Sequence, residues 1–227
     1  MSKNLIEIKK LKKEFKNNNL VVKVLNNVNI NIESGKLVAL VGPSGSGKST
    51  FLHLLALLDE PTQGKIVLFG NSIANISEDK KNKIIKNYIS IIFQNNNLLS
   101  DFTALENVAM PLIIKNQNYK NSIEKAKKVL AKVNLSHRLN YFPSDLSGGE
   151  QQRVAIARSL AADTKIILAD EPTGNLDYKT SNEVFSYFLK LKEKNKTILI
   201  ATHNRELAKK ADYTLSLANG NIKRKSK

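Results

Sequence analysis

The stretch Gly42-Pro43-Ser44-Gly45-Ser46-Gly47-Lys48-Ser49-Thr50 fits the phosphate-binding pattern G-x-x-x-x-G-K-[ST] at every fixed position. Its glycines let the backbone curl so that successive N–H groups point at phosphate oxygens. Lys48 adds a positive charge for the β- and γ-phosphates, and Ser49 supplies a hydroxyl for Mg²⁺. The apolar run 37–41 before it predicts a buried strand, and the apolar-rich segment 49–58 after it predicts a helix. We therefore expect phosphate groups to bind at the N-terminus of that helix.

The composition predicts one sizeable domain. The chain has 227 residues, of which 41% are hydrophobic, enough for a single core, and we assign 1–227 to one domain. It has no cysteine, which excludes disulfides and thiolate metal sites and fits a reducing compartment. No stretch approaches the ~18 apolar residues that cross a bilayer, and no secretory signal is present. We expect a protein that is made and kept in the cytoplasm.

The net charge of +16 allows a nucleic-acid or anionic-membrane partner. The lysines are scattered through predicted helices and turns and do not form one basic stripe interleaved with aromatic residues. A solvated basic surface is therefore favoured over a nucleic-acid site, and attraction to acidic lipid stays open. No specific nucleic acid is expected as a partner.

The beginning of the chain predicts an antiparallel, β-rich region with strands at 5–11, 21–25 and 28–32. Phe15 lies between the first two of these strands. It could stack on an adenine ring or simply pack against its neighbours, and its position alone does not decide between the two.

Helical patterns replace strands between about 95 and 160. Thr103 and Glu106 form a capping box that opens a helix, which we expect to end before Pro111. A second amphipathic helix follows from the spacing of Ile123, Ala126, Leu130 and Val133. These helices form an insert between a strand that stops at Gln94 and the strand that begins at Ile166.

A second candidate anion site lies at the end of this insert. Ser147 and Glu150 can cap a helix, while Gly148 and Gly149 leave N–H groups bare at its positive end. A single nucleotide needs only one phosphate loop. A symmetric dimer would give the second site a purpose by placing it over the nucleotide held by the other copy.

The apolar strand 166–171 ends in two carboxylates, the pattern of a buried parallel strand whose carboxyl end meets a ligand. Asp170 would hold Mg²⁺ directly or through water. Because adjacent residues on a strand point to opposite sides, Glu171 would be free to orient a water molecule as general base.

Three further side chains follow predicted strands or turns. His203 follows the buried strand 197–201 and would share the sheet edge of Asp170 and Lys48, where it can hydrogen-bond a γ-phosphate. Gln94 can join a metal's water shell or contact the attacking water, or it can be a surface residue. Asp177 either contributes to the site or only caps the next helix.

The order of these features resembles that of the ATP-binding-cassette (ABC) ATPases. The resemblance covers nearly the whole chain, and its most specific part is Ser147-Gly148-Gly149 followed by Gln152. It implies an α/β fold of the P-loop NTPase class. That fold has a mainly parallel core sheet, a small antiparallel β subdomain and an α-helical subdomain at about 95–160.

The same resemblance implies ATP and Mg²⁺ as cofactors and a second copy of the chain as partner. It makes Glu171, His203 and Gln94 catalytic, and Ser49, Gln94 and Asp170 the metal ligands. Nucleotide binding would fall to Phe15 as the adenine-stacking ring, the loop 42–50, Ser147, Gly148, Gly149 and Asp177. Phe15 stands where a tyrosine is commoner in the family.

Within that family the segment 101–112 is similar to the branch that serves lipoprotein release, macrolide export and cell division. Ser100 and Gln151 depart from the pattern, where proline and arginine are expected. We expect an ATPase on the cytoplasmic side of the inner membrane that works with membrane permease subunits to release lipoproteins for outer-membrane targeting. The alternatives are a drug-export or cell-division complex, and a soluble ABC protein acting on nucleic acid or ribosomes.

Overall fold

Two β-sheets and a group of helices make up the described residues, 4–17, 20–174 and 176–225, of the computed structural model. The strands are β1 (Asn4–Asn17), β2 (Leu20–Glu33), β3 (Leu37–Val41), β4 (Gln63–Leu68), β5 (Asn71–Ser72), β6 (Ile89–Ile92), β7 (Ile166–Asp170), β8 (Thr197–Ala201), β9 (Tyr213–Ala218) and β10 (Asn221–Lys225). The helices are α1 (Lys48–Leu55), α2 (Glu78–Tyr88), α3 (Ala104–Ile114), α4 (Tyr119–Lys132), α5 (Gly148–Ala162), α6 (Tyr178–Lys192) and α7 (Arg205–Lys209), with 3₁₀ turns at Ser136–Arg138 and Pro143–Asp145.

The core sheet has the strand order β10-β9-β3-β8-β7-β6 and is parallel from β9 to β6. Strands β7 and β8 are buried along their whole length, as their unbroken apolar sequences predict. β10 runs antiparallel to β9 after a turn in which Asn219 and Gly220 both have positive φ, 49° and 73°. The loops after β3, β6, β7 and β8 therefore meet at one edge of the sheet.

The second sheet has the order β2-β1-β4-β5 and is antiparallel. Its hairpin is longer than predicted, because β1 and β2 are continuous strands of 14 residues each. Phe15 therefore lies within β1, opposite Val22, and not between two strands. The pairing of β1 with β2 shifts register at four places between Asn4 and Glu14, so no single period-two pattern runs along the hairpin.

Helices α3, α4 and α5 enclose their own apolar core, which includes the fully buried Val108, Leu112 and Leu130. The prediction that a helix ends before Pro111 is wrong, because α3 continues through it to Ile114. Proline removes one helical hydrogen bond and costs on the order of 3 kcal/mol in a helix interior. Burial of Val108 and Leu112 on either side of it offsets that cost.

The phosphate-loop helix α1 lies between the two sheets. Its Phe51 and Leu54 are fully buried in a cluster that takes Ile6 and Ile8 from one sheet and Leu168 from the other. The opposite face of the core sheet is covered by α5, α6 and α7. Within the described ranges, no helix combines the length and apolar character that a membrane span requires.

Candidate active site

A cleft of about 510 Å³ opens at the carboxyl edge of the core sheet. It gathers residues from the loop before α1 and from the ends of β6, β7 and β8, as the parallel topology requires. Its lining consists of Val24, Ser44, Gly45, Gly47, Lys48, Ser49, Thr50, Gln94, Asp170, Glu171 and His203. The residues predicted from four separate segments therefore lie around one space.

The phosphate loop needs glycine for two reasons. Gly45 and Gly47 have φ values of 71° and 98°, in the region that favours glycine. A Cβ atom on Gly47 would also lie 2.5 Å from Val24 Cγ1 on β2, so any side chain there would force Val24 or the loop to move. Gly47 is the N-cap of α1, which places the loop at the positive end of that helix.

Lys48 is buried and its charge is held by the loop itself. The Nζ atom donates hydrogen bonds to the carbonyls of Gly42 and Pro43, at 3.0 Å each. Ser46 Oγ is buried nearby and has no hydrogen-bond partner among the described residues. A buried cation and an unsatisfied hydroxyl beside a helix N-terminus fit a phosphate group, which can accept from all three.

The two strand-end carboxylates have different backbone settings, although both residues line the cleft. Asp170 is the last residue of β7 and is buried, whereas Glu171 has left the strand with a φ of 44°. The N–H of Glu171 donates to the carbonyl of Ala201 at 2.9 Å, which holds this unusual conformation in place. Because Glu171 is a left-handed residue outside the strand, the alternation of a regular strand does not determine where its side chain lies.

His203 contacts the carboxylate of Glu171 at two points. Glu171 Oε2 lies 3.0 Å from His203 Nδ1 and accepts a hydrogen bond of 3.3 Å from the backbone N–H of His203. The Glu171 side chain is 10% exposed and the His203 side chain 72% exposed. The imidazole is therefore open to a ligand while the carboxylate behind it is fixed.

Ser147 caps α5 as predicted, but the segment 147–149 does not line the cleft among the described residues. Ser147 Oγ accepts from the N–H of Glu150 at 3.3 Å, and the Glu150 carboxylate accepts from the N–H of Ser147 at 2.9 Å. Arg138 donates to Glu150 at 2.8 Å from the other side. The N–H of Ser147 is the main cause that lowers the pKa of Glu150; burial opposes this, and Arg138 adds to the lowering.

Phe15 and Asp177 also lie outside that lining. The ring of Phe15 is 45% exposed on the hairpin. Asp177 caps α6 by accepting from the N–H and hydroxyl of Thr180, at 3.0 and 2.6 Å. These bonds lower the pKa of Asp177 and favour the capping alternative within one copy of the chain.

Sequence reasoning missed Val24 and Asn107. Val24 lines the cleft from β2, and its place in an alternating strand gave no signal of that contact. Asn107 is fully buried in α3 and fixes the loop after Gln94. Its amide exchanges two hydrogen bonds with the backbone of Leu99, at 2.8 and 3.0 Å, and donates to the carbonyls of Phe102 and Thr103.

A phosphate loop at the carboxyl edge of a parallel sheet, with an inserted helical unit, defines a P-loop ATPase. The chain belongs to the ABC transporter family, whose model matches residues 25–174. The predicted family, fold class and ATPase activity are thereby confirmed.

Several relatives match this chain over nearly their whole length, and each of them is a lipoprotein-releasing system ATP-binding protein LolD. That of Rickettsia bellii is 50% identical over 222 residues, covering 97% of this chain and 98% of the relative. That of Wigglesworthia glossinidia brevipalpis is 44% identical over 223 residues, covering 98% and 97%. Among solved structures, the dimeric structure of MJ0796, a bacterial ABC transporter cassette, has a TM-score of 0.94 at 39% identity and 98% coverage of both chains.

Proposed function

We propose that the chain is the ATP-hydrolysing subunit of a transporter that releases lipoproteins from the cytoplasmic membrane for outer-membrane targeting. The single observation that carries this is identity of 44–50% to LolD proteins with nearly complete coverage of both chains. Similarity that extends through 97% of the chain includes the helical insert, where membrane partners would be contacted, and not only the phosphate loop. The protein would then act peripherally, on the cytoplasmic side of the inner membrane.

Hydrolysis is assigned to the residues that face each other across the cleft. The loop 42–50 binds the phosphates through its N–H groups and Lys48. Glu171 holds the attacking water and accepts its proton, because His203 fixes its carboxylate at Oε2 and no other described residue bonds to Oε1. The exposed His203 imidazole then hydrogen-bonds the γ-phosphate.

Mg²⁺ fits the side chains of Ser49, Gln94 and Asp170, which line the same cleft. Among the described residues, no group of three or more His, Asp or Glu side chains could hold a metal alone. A single carboxylate with hydroxyl and amide oxygens is the donor set of a magnesium ion that takes its remaining ligands from phosphates and water. When bound, the ion would neutralise charge that develops on the phosphates.

A second copy of the chain would complete the site. The capped N-terminal end of α5 does not contribute to the cleft of its own copy, since the segment 147–149 is absent from that lining within the described residues. Placing Ser147 and Gly149 of one copy over the nucleotide of the other satisfies both anion-binding ends with one ligand. Phe15 would stack on the adenine within the copy that holds the phosphates.

The test is to purify the chain with its membrane subunits, identify those subunits, and reconstitute the complex in vesicles that carry a lipid-anchored protein. ATP should release that protein, and a complex with Lys48→Ala should not. Membrane subunits that support ATP-driven drug export without releasing the lipid-anchored protein would contradict the proposal. So would a chain that purifies with nucleic acid or ribosomes and no membrane protein.

A further inference from the structure

Phe15 lies on a part of the hairpin that extends beyond the sheet. β1 pairs with β4 from Ile6 to Lys12, and Phe15 follows the last of these pairs, opposite Val22 of β2. Its ring is 45% exposed. A stacking ring on such an extension needs a contact from elsewhere to keep its orientation, because a two-stranded ribbon is marginally stable by itself.

The loop that follows α1 supplies that contact. Lys13 Nζ donates to Asp59 Oδ1 at 2.6 Å and to the carbonyl of Glu60 at 2.9 Å. Thr62 adds backbone support, since its N–H donates to the carbonyl of Lys12 at 2.9 Å and its hydroxyl accepts from the N–H of Glu14 at 3.0 Å. The segment 59–62 thus fastens the hairpin directly to the end of the phosphate-loop helix.

Lys13 also covers the ring of Phe15. Its Nζ atom lies 4.8 Å from the ring centroid, within the distance of a cation–π contact. The Lys13 side chain is only 12% exposed, so the ammonium is held at this place and does not extend into solvent. Burial opposes the charge of Asp59, but Lys13 and the N–H of Glu60 outweigh it and lower the pKa of Asp59, so the anchor stays ionised at neutral pH.

Lys13 and Phe15 share one side of an irregular stretch of β1, as the contact between the Lys13 ammonium and the Phe15 ring shows. Lys10 has a φ of 52°, and the pairing with β2 shifts register between Ile8 and Leu11 and again on either side of Lys13. Gly64 permits the bulge, because a Cβ atom there would lie 2.3 Å from the carbonyl oxygen of Lys10.

We propose that Lys13 is a positioning residue for the nucleotide base: its ammonium, anchored by Asp59, fixes one face of Phe15 and presents the other face to adenine. This inference rests on the proposed stacking role of Phe15. It adds a residue outside the phosphate loop that sets affinity for the base without touching the phosphates. Through the segment 59–62 and α1, Lys13 also connects the base-binding end of the nucleotide site with its phosphate-binding end.

The test compares affinity for ATP with affinity for tripolyphosphate, which has the phosphates but no base, in the full chain. Lys13→Gln should weaken ATP binding about fivefold, the size of a lost cation–π contact at a partly exposed site, and leave tripolyphosphate binding unchanged. In steady-state hydrolysis KM should rise while kcat stays the same. Lys13→Arg should restore ATP affinity, because a guanidinium can both stack on the ring and reach Asp59.

Lys9→Gln is the matched control, since Lys9 is on the same strand and pairs with Glu7 at 2.9 Å. It should change neither affinity. Asp59→Asn, which keeps the shape of the anchor, is the second variant and should also weaken only ATP binding. Equal thermal unfolding midpoints confirm that each variant is folded.

Equal weakening of ATP and tripolyphosphate by Lys13→Gln and Asp59→Asn would show a general structural role and overturn the inference. An unchanged ATP affinity in both variants would overturn it as well. Phe15→Ala separates this from the proposed stacking: it should weaken ATP binding by about tenfold or more, and Lys13→Gln should add nothing in that background. If Phe15→Ala alone leaves ATP affinity intact, the stacking role itself is wrong.

Discussion

Glu171 Oε2 lies 3.0 Å from His203 Nδ1, although the two residues belong to different strand ends of the core sheet. Glu171 reaches this position because it turns out of β7 with a φ of 44°, while His203 follows the neighbouring strand β8. The backbone N–H of His203 binds the same oxygen at 3.3 Å. Within the described part of the chain, only Oε2 of this carboxylate accepts a hydrogen bond, so in the proposed mechanism Oε1 would take the proton of the attacking water.

Glu171→Gln should retain ATP binding and lose most turnover. The amide oxygen can still accept from His203, so the shape of the site is preserved while the base is removed. Loss of a general base costs a factor of about 10²–10⁴, or about 3–5 kcal/mol of barrier. Single-turnover hydrolysis measures the rate, and gel filtration should show an ATP-bound dimer that accumulates. Near wild-type hydrolysis would remove Glu171 from this role.

The sequence predicted which residues meet at the site because the topology is simple. Buried strands separated by helices pack in parallel, so the residues that follow them share one sheet edge. This rule places Lys48, Asp170 and His203 together, and all three line the cleft. Gln94, which the residues alone left open as a surface residue and the family resemblance assigned to the site, lines it too.

Features that depend on tertiary partners could not be predicted in this way. Pro111 ends helices in isolation, but the burial of its neighbours in α3 is decided by α4 and α5. The bulge at Lys10 depends on Gly64, which lies on another strand. Spacing along the chain carries no information about how α4 and α5 pack against α3, or about how closely Gly64 approaches Lys10. For the same reason the hairpin was predicted too short and the position of Phe15 was wrong.

The segment 147–149 should act on the nucleotide of the other copy. Mixing a Lys48→Ala chain with a Ser147→Arg chain gives dimers in which one composite site has both an intact loop and an intact Ser147. ATPase activity should rise above that of either variant alone, as measured by phosphate release over a range of mixing ratios. A Ser147→Arg monomer with unchanged kinetics would contradict the shared site.

Glu150 should make the cap of α5 sensitive to acid. Its pKa is lowered in the folded chain, chiefly by the N–H of Ser147 and further by Arg138 against the opposing effect of burial. The stabilisation is therefore complete above the unfolded pKa, about 4.3 for Glu, and is lost as the pH falls through the lower folded value. Glu150→Gln should be less stable than wild type at pH 7, and the difference in free energy of unfolding should shrink below about pH 4. A difference independent of pH would contradict this.

The loop after Gln94 should dock a cytoplasmic helix of the membrane partner. Leu99 and Phe102 are 42% and 37% exposed there. Arg158 ties the loop to α5, the helix that Ser147 caps, by donating to the carbonyls of Asn96 and Asn97 at 2.9 and 2.7 Å. Leu98, in the same loop, packs against the helical core and is not part of this exposed surface. Changing Leu99 and Phe102 to Gln should leave a folded chain that hydrolyses ATP but no longer co-purifies with its membrane subunits. The control is Leu20→Gln, at a 65% exposed site on β2, and this variant should co-purify normally. Unfolding of the double variant, or undiminished co-purification, would refute docking at this loop.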